Sequence, residues 1–283
     1  MGVYDPEQLA VVPAGALRLS RGCGNPTRLG MIGPGDTVID LGCGGGIDVI
    51  LAAHQVGPSG TVIGVDFAPE MLQHATCNIA EAGLAERDIR LHLADLADTG
   101  LPDGCADVII SNCVINVCPD KDAVYREAYR LLRPGGRLAI SDVMLTEALP
   151  ANLDTAFQET WAGCLGGAVP EQRYFDMVRA AGFHAVTVAG DKPLSAEVLD
   201  HMSVCPGPQF TPKPARADLA AVQGKVTSIK FTALKLGIAK AARHRMTDER
   251  MLVGRCVGKV AARGDYFFVA FFDRSGADPV ELR

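Results

Sequence analysis

The sequence contains no run of 18 apolar residues, and its basic residues do not outnumber its acidic ones. The first absence predicts that no helix of the chain crosses a membrane. The 283 residues include 27 Lys and Arg against 33 Asp and Glu, a formal net charge of −6, which argues against nucleic acid or an anionic membrane as the main partner. No basic segment precedes the apolar stretch Leu9 to Leu17, which Pro13 and Gly15 interrupt. A signal peptide is therefore not predicted, and we expect a cytoplasmic protein.

The spacing of the cysteines excludes one common use of thiols. Nine cysteines are present, but no two form a CxxC pair and none joins a histidine at zinc-finger spacing, so a structural zinc site is not expected. In a reducing cytosol such thiols are typically unpaired, small, buried side chains. The alternative is that some of them meet in space and bind a thiophilic ligand, and spacing alone does not decide between the two.

Strand and helix patterns alternate between residues 37 and 141. Short apolar strands are predicted over residues 36–40, 61–66, 89–93, 107–111 and 137–141. Alternation with helices is typical of right-handed βαβ units and of a mostly parallel sheet with helices on both faces. We therefore predict an α/β core over residues 31–145, preceded by an irregular N-terminal segment over residues 1–30.

The rest of the chain continues this core and then changes in composition. Residues 146–235 are predicted to carry substrate-binding elements, and residues 236–283 a C-terminal extension of unknown role. The predicted elements are helices around 153–164 and 171–181 and strands at 185–188, 226–234 and 266–272.

A glycine-rich loop connects the first predicted strand to a helix. It reads Asp40-Leu-Gly42-Cys-Gly44-Gly-Gly46, and glycines in this context let a nucleotide-like ligand approach the backbone. The dinucleotide pattern is incomplete because Ile47 occupies its last glycine position, and the GK[ST] ending of a P-loop is absent. An acid at the strand end suits a positively charged ligand better than a pyrophosphate.

Two further acids occupy positions typical of nucleoside recognition. Asp66 ends the second strand, 26 residues after Asp40, where such folds place an acid on ribose hydroxyls. Asp95 follows the third strand, where it can meet an adenine amino group. Together with Pro134-Gly135-Gly136 before the fifth strand, these motifs resemble the class I S-adenosylmethionine-dependent methyltransferases.

The resemblance implies the class I methyltransferase Rossmann-like fold and S-adenosyl-L-methionine as cofactor. The cofactor-binding residues that it implies are Asp40, Gly42, Cys43, Gly44, Asp66, Phe67, Met71, Asp95, Leu96 and Asn112. Asp40, with the backbone at Gly42 and Gly44, would face the amino-acid part. Asp66 would hold the ribose, and Asn112 would line the methyl-donor side. The remaining members would surround the adenine, except Cys43, which would serve as a small residue under the cofactor.

Two cysteine-bearing segments carry a more specific resemblance. Ser111-Asn-Cys113-Val-Ile-Asn follows the fourth strand, at the edge where open parallel sheets bind ligands, and Glu159-Thr-Trp161-Ala-Gly-Cys164-Leu-Gly-Gly-Ala168 follows later. Both resemble segments of the arsenite methyltransferases, and the similarity runs from about residue 21 to residue 235. It implies that Cys113 and Cys164 are the catalytic, arsenic-binding thiolates and that Trp161 helps to shape the pocket.

The chemistry of trivalent arsenic agrees with this residue set. Arsenic is soft and prefers thiolates, and its lone pair carries no proton, so attack on a sulfonium methyl group needs no general base. The six histidines are scattered through the chain, and none is predicted to act as a catalyst. The resemblance also implies glutathione or thioredoxin as a thiol donor and reductant.

One position departs from the family pattern. Asp48 is followed by Val49, where the family often has a third cysteine. Cys23 is a candidate replacement if the N-terminal segment folds over the site, and Cys118 is another thiol that can lie nearby.

Two other functions remain open at this point. One is a methyltransferase of a small organic molecule that keeps the same scaffold, and the missing third cysteine favours it. The other is a thiol-based metalloid binder without turnover. The simplest alternative to arsenic binding is that Cys113 and Cys164 only pack in the hydrophobic core.

Overall fold

The protein is organised around a seven-stranded sheet with helices on both faces. In the computed structural model the described residues are 4–149, 166–195 and 222–237, with the backbone of 250–253, 256–263 and 266–272. The elements are α1 (Pro6–Ala10), α2 (Ala14–Leu19), α3 (Pro26–Leu29), β1 (Thr37–Leu41), α4 (Ile47–Val56), β2 (Thr61–Asp66), α5 (Pro69–Glu81), β3 (Ile89–Leu93), β4 (Ala106–Asn112), a 3₁₀ turn (Ile115–Val117), α6 (Lys121–Leu131), β5 (Leu132–Leu145), α7 (Glu171–Ala180), β6 (His184–Pro193), β7 (Val226–Leu234), β8 (Arg250–Val253), β9 (Cys256–Arg263) and β10 (Tyr266–Phe272).

The strand order is β3-β2-β1-β4-β5-β7-β6. The first five strands are parallel, and β7 runs antiparallel to both β5 and β6. This arrangement confirms the predicted mostly parallel, Rossmann-like sheet. Because parallel strands end at a common edge, the loops after β1 to β4 gather on one side of the sheet.

The central strands are apolar on both faces because helices cover both. Val38 and Ile39 are neighbours on β1 and both are fully buried, but they belong to different clusters. Val38 lies in the cluster formed with α4 and α5, and Ile39 in the cluster formed with α6 and α7. The sequence therefore reads as short continuous apolar runs rather than as an alternating pattern.

Strand β5 is longer than the sequence predicted. The sequence predicts the strand over residues 137–141, after Pro134-Gly135-Gly136, but the strand already begins at Leu132 and runs to Leu145. Gly135 takes a φ of 83°, and its amide donates to the Lys235 carbonyl at 2.8 Å, while the Lys235 amide donates to Gly136 at 2.9 Å. The glycines are therefore paired with the end of β7 and do not interrupt the sheet.

Several other predictions have clear outcomes. The strands predicted at 226–234 and 266–272 are confirmed as β7 and β10, and β10 pairs with β9 in a separate three-stranded antiparallel sheet. The strand predicted at 185–188 is longer, because β6 pairs with β7 as far as Pro193. The helix predicted around 153–164 lies outside the described residues, as do Trp161 and Cys164. The division into four segments stays a prediction.

The described helices are all too short or too polar to cross a membrane.

Candidate active site

The loop after β1 turns sharply and exposes its backbone. Gly42 and Gly44 have φ values of 80° and 50°, which glycine adopts without steric cost. The amide of Gly42 donates to the Val65 carbonyl at 2.8 Å, so the loop is tied to the end of β2. A Cβ atom placed on Gly44 would meet nothing within 4 Å. Gly44 is therefore a point where a ligand can reach the backbone.

Asp66 joins this loop to the start of α5. Its Oδ2 accepts a hydrogen bond from the Gly44 amide at 2.8 Å, and its Oδ1 accepts one from the Ala68 amide at 3.0 Å. The carboxylate is 6% exposed. Phe67 beside it is 66% exposed. The ribose and adenine contacts of Asp66, Phe67 and the half-buried Met71 stay predictions.

The turn after β3 lies at the same edge of the sheet. Asp95 is exposed, and its Oδ1 accepts a hydrogen bond from the Ala97 amide at 2.8 Å. Leu96 is buried. The structure thus fixes the turn by a local hydrogen bond, and recognition of the adenine edge by Asp95 and the Leu96 amide stays a prediction.

Three buried carboxylates surround the glycine loop. Asp40, Asp48 and Asp66 are each at most 6% exposed, and none of the ion pairs among the described residues involves them. Burial raises the pKa of Asp40 well above its ordinary value, and the charges of Asp48 and Asp66 raise it further. Buried carboxylates without a cation are costly, so the site favours a positively charged ligand.

Asp48 was not predicted as a site residue, although it is the one acid of the mostly apolar helix α4. Its Oδ1 accepts a hydrogen bond from the Tyr4 hydroxyl at 3.1 Å, and its Oδ2 accepts one from Asn112 Nδ2 at 3.0 Å. Burial raises the pKa of Asp48 to about 6, against these two hydrogen bonds, which lower it. A single acid in an apolar helix was the available signal. Nothing local in the sequence indicates the part played by Tyr4.

Asn112, at the end of β4, bonds to the N-terminal segment. Its Oδ1 accepts hydrogen bonds from the amides of Cys23 and Gly24 at 3.0 and 3.2 Å, and its Nδ2 donates to the Gly24 carbonyl at 2.8 Å. These contacts place the N-terminal segment against the edge of the sheet that carries Cys113. A contact of Asn112 with the cofactor stays a prediction.

Cys113 begins the loop after β4 in a strained conformation. Its φ is 61°, a left-handed value that is uncommon for a residue with a side chain and that clusters at functional sites. The residue is 5% exposed, and its amide donates to the Ser141 carbonyl at 2.8 Å. The chain therefore holds this thiol in a fixed, largely dry position.

The surroundings of Cys113 bring three parts of the chain together. Cys113 belongs to a small apolar cluster, against which Cys23 and Ala168 also pack. The other buried members of this thiol cluster are Val143, Leu145, Leu149, Val222 and Val226. Ala168 comes four residues after Cys164 in the sequence. A common substrate site of Cys113, Cys164 and Trp161 stays a prediction.

A buried polar network fixes the loop that follows Cys113. Asn116 Nδ2 donates to Asp142 Oδ1 at 3.0 Å and also to the Val143 carbonyl. The Tyr174 hydroxyl donates to Asp142 Oδ2 at 3.1 Å. Burial raises the pKa of Asp142 to about 7. Nothing local in the sequence predicts this network, which joins β5, α7 and the loop that carries Cys113.

The other candidate thiols lie in different surroundings. Cys43 is buried, and burial together with the charges of Asp40 and Asp66 holds the pKa of its thiol well above the ordinary value, which disfavours the thiolate. Cys118 packs against the cluster on the α6 and α7 face rather than the thiol cluster.

The described residues contain no group of three or more His, Cys, Asp or Glu side chains that could hold a metal ion.

Comparison with known proteins agrees with this geometry. The methyltransferase domain family matches residues 32–182. An arsenite methyltransferase of Halobacterium salinarum is 42% identical over 186 residues, which are 66% of this chain and 46% of that protein. A nocamycin O-methyltransferase of Saccharothrix syringae is 40% identical over 108 residues, which are 38% of each chain.

One solved structure is similar over most of the chain. It is that of CrArsM, an arsenic(III) S-adenosylmethionine methyltransferase from Chlamydomonas reinhardtii, with a TM-score of 0.67 and 29% sequence identity. The match covers 83% of this chain and 74% of that one. By contrast, this chain spans about half the length of the curated arsenite methyltransferases that it matches.

These matches imply S-adenosylmethionine as the cofactor, and the residues present fit it. The cofactor carries a sulfonium and an ammonium group, and the elements on either side of the glycine loop offer Asp40 and Asp48 as buried carboxylates without an ion-pair partner among the described residues. Gly44 leaves the backbone open for close approach. The chain belongs to the methyltransferase domain family, and arsenite methyltransferases are among its relatives.

Proposed function

We propose that this protein methylates trivalent arsenicals, with Cys113 and Cys164 as the thiolates that hold the arsenic. One observation carries the proposal. Cys113 lies in a strained, buried position at the carboxyl end of β4, in a cluster that Cys23 also contacts. Asp48, a member of the carboxylate set around the glycine loop, is one hydrogen bond away through Asn112. A soft-metalloid site thus adjoins a site suited to a cationic methyl donor.

The chain's own residues perform three tasks in this reaction. The carboxylates of Asp40 and Asp48 attract the positive end of the cofactor, which supplies an electrophilic methyl group when bound. Asp66 fixes the glycine loop and the start of α5 in one geometry. Preorganised charges of this kind act without reorganisation during the reaction.

The thiol site holds the nucleophile. Thiolates bind arsenic(III) firmly because ligand and metalloid are both soft. The lone pair of arsenic would form the new As–C bond while the bond between the cofactor sulfur and its methyl group breaks, and the sulfur would leave as a neutral thioether. No proton has to leave, so a general base is not required. Arsenic is formally oxidised from the trivalent to the pentavalent state in this step, and thiols would supply the two electrons that return it to the trivalent state. The apolar members of the thiol cluster, such as Val143 and Val226, exclude water from the reacting atoms. Rate enhancement then comes mainly from holding arsenic and methyl in line.

The proposal also includes a thiol cosubstrate and a cytoplasmic location. Glutathione or thioredoxin would deliver arsenic as a thiol adduct and would reduce any cysteine oxidised during turnover. The thiols have to stay reduced between cycles, which fits the reducing cytoplasm. The biological role would be the detoxification of arsenic.

A second candidate is methylation of a small organic molecule. The similarity to an O-methyltransferase over 108 residues favours it, as does Val49 at a position where the arsenic family often has cysteine. A thiol-based binder without turnover is the third possibility. The first two functions predict different methylated products and the third predicts none, so one assay separates them.

The assay is a substrate panel with cofactor labelled in the methyl group. Arsenite, methylarsenite, several phenols and several amines are offered separately to the full chain with a reducing thiol. The proposal predicts labelled product from the arsenicals alone. Label in a phenol or amine would support the second candidate, and arsenical binding without labelled product would support the third.

A further inference from the structure

The turn over residues 95–99 follows β3 and carries Asp95 and Leu96, which are predicted to recognise the adenine. Its first end is attached to the neighbouring strand β2, because the Ala94 amide donates to the Asp66 carbonyl at 3.1 Å. A turn that is attached at one end only can still move. The contacts at its other end therefore decide where the two residues lie.

Thr99 ends the turn, and all of its polar groups are engaged. The residue is buried. Its amide and its hydroxyl both donate to Glu127 Oε1, at 2.9 and 2.6 Å. Its carbonyl oxygen lies 2.7 Å from Nε2 of His92 on β3 and accepts a hydrogen bond when that nitrogen carries the proton. The second end of the turn is thus attached to both α6 and β3.

Glu127 is the one charged residue among the buried residues of α6. Besides the two bonds from Thr99, its carboxylate accepts Nε and Nη2 of Arg130 at 2.8 and 2.7 Å. Burial by itself would raise the pKa of Glu127, but the hydrogen bonds from Arg130 and Thr99 hold it below its ordinary value. A buried carboxylate is costly unless it is hydrogen-bonded, and two of these four bonds come from the turn.

The chemistry of the base makes the position of the turn matter. Adenine presents an amino group, which donates, beside a ring nitrogen, which accepts. Hypoxanthine presents a carbonyl oxygen and a ring N–H at the same places, so donor and acceptor are exchanged. The Asp95 carboxylate and the Leu96 amide would pair with adenine and oppose hypoxanthine, provided that both are held at hydrogen-bond distance.

We propose that Glu127 is a positioning residue, which acts through Thr99 and makes the cofactor site selective for adenine. It does so by holding Asp95 and the Leu96 amide in one place. The inference rests on the proposed function, because it concerns the methyl donor of that reaction. Fixing the turn before the ligand arrives lowers the entropy that binding would otherwise cost. The effect is specific to the base, since other residues face the rest of the cofactor.

The test compares the affinities of two ligands for the full chain by calorimetry. One ligand is S-adenosylhomocysteine, the demethylated cofactor, and the other is its analogue with hypoxanthine in place of adenine. The wild-type protein should bind the adenine ligand about tenfold or more tightly, which is typical of one paired base edge. In Glu127→Ala this ratio of affinities should fall to about threefold or less, because mainly the adenine ligand loses affinity.

Further variants separate positioning from stability. Thr99→Val removes the hydroxyl that donates to Glu127 and should lower the ratio in the same direction, whereas Thr99→Ser keeps a hydroxyl and should retain the ratio. This pair also serves if Glu127→Ala does not fold. Asp103→Ala removes an exposed partner of Arg130 and leaves Thr99 in place, so its ratio should stay within about twofold of the wild-type value.

A ratio that is unchanged in both Glu127→Ala and Thr99→Val would overturn the inference, because a merely structural role would weaken both ligands equally. Equal affinity of the wild-type protein for the two ligands would also overturn it. A protein whose ratio depends on Glu127 but that methylates no arsenical would refute the proposed function and leave the inference standing. A protein that methylates arsenicals with the same ratio in wild type and Glu127→Ala would do the reverse, so the two failures are distinguishable.

Discussion

The amide of Gly44 donates a hydrogen bond of 2.8 Å to Oδ2 of Asp66, which ties the loop after β1 to the end of β2. Both residues were predicted to meet the cofactor. Their direct contact means that the loop conformation depends on the carboxylate, so we predict that Asp66 acts on cofactor binding in two ways, through the loop and through its own oxygens.

Replacing Asp66 should weaken the binding of S-adenosylmethionine. Asp66→Ala removes charge-assisted hydrogen bonds, each worth roughly 1.5–3 kcal/mol, so the dissociation constant should rise about tenfold or more. Calorimetric titration measures it, with Asp88→Ala, an exposed acid at the start of β3, as control. Equal affinity in the Asp66 variant and the control would exclude Asp66 from the cofactor site.

Cofactor binding should release protons near pH 6. The pKa of Asp48 is raised to about 6 and that of Asp40 is also raised in the free protein, and a cation nearby would lower both. Affinity should therefore fall as pH drops below about 6, since bound protons have to leave first. Titrations in two buffers of different ionisation enthalpy count the protons, and Asp48→Asn should reduce that number.

One result would contradict the link between cofactor binding and proton release. An affinity for S-adenosylmethionine that is the same at pH 5 and pH 7, with no proton release, would show that the carboxylates do not face the positive charge. Asp88→Asn is the matched control, because its side chain is exposed.

Asp142 should make stability depend on pH. Its pKa is about 7 in the folded protein against an ordinary value of 3.8, so its contribution is greatest below about pH 4 and is lost as pH rises through about 7. Each pKa unit corresponds to about 1.4 kcal/mol. Urea unfolding at pH 5 and pH 8 should show a smaller difference in Asp142→Asn than in wild type. An equal pH dependence in both proteins would count against this assignment.

The C-terminal residues should not be needed for cofactor binding. Every residue of the predicted cofactor site precedes Cys113, and β7, the last strand of the seven-stranded sheet in the chain, ends at Leu234. A chain that stops after Gly237 should bind S-adenosylmethionine with wild-type affinity by calorimetry. If the shortened chain is insoluble, the three strands β8 to β10 belong to the main core.

Much of the core could be predicted because its signals are local. Apolar runs separated by helix patterns gave the strands, and the glycine loop with Asp66 marked the edge of the sheet that carries the site. The pairing of Pro134 to Gly136 with the end of β7 could not be predicted, because it depends on a strand about 100 residues away.

The same reason explains what was missed in the site. The hydrogen bond from Tyr4 to Asp48 spans 44 residues and that from Cys23 to Asn112 spans 89. Hydrophobic periodicity in the sequence reports only local structure, so it does not predict contacts between residues so far apart. Asp142 directly follows the strand predicted at 137–141, and nothing local in the sequence indicates that its neighbours Asn116 and Tyr174 make it the centre of a buried network.

The number of available thiols should set the preference between arsenicals. Methylarsenite already carries one carbon, so Cys113 and Cys164 complete its coordination, whereas arsenite needs a third ligand. At low external thiol we expect faster methylation of methylarsenite than of arsenite, and Cys23→Ser should reduce only the arsenite rate. Equal rates on both substrates, unaffected by Cys23→Ser, would remove this argument.

The most direct test of the account compares methyl transfer to methylarsenite by wild type, Cys113→Ser and Cys77→Ser. Cys77 is an exposed thiol on α5 and serves as the matched control. A serine hydroxyl is a hard, weak ligand for arsenic, so methylated product, measured by mass spectrometry, should be lost in Cys113→Ser and kept in Cys77→Ser. Full activity of Cys113→Ser would contradict the assignment of this protein as an arsenic methyltransferase.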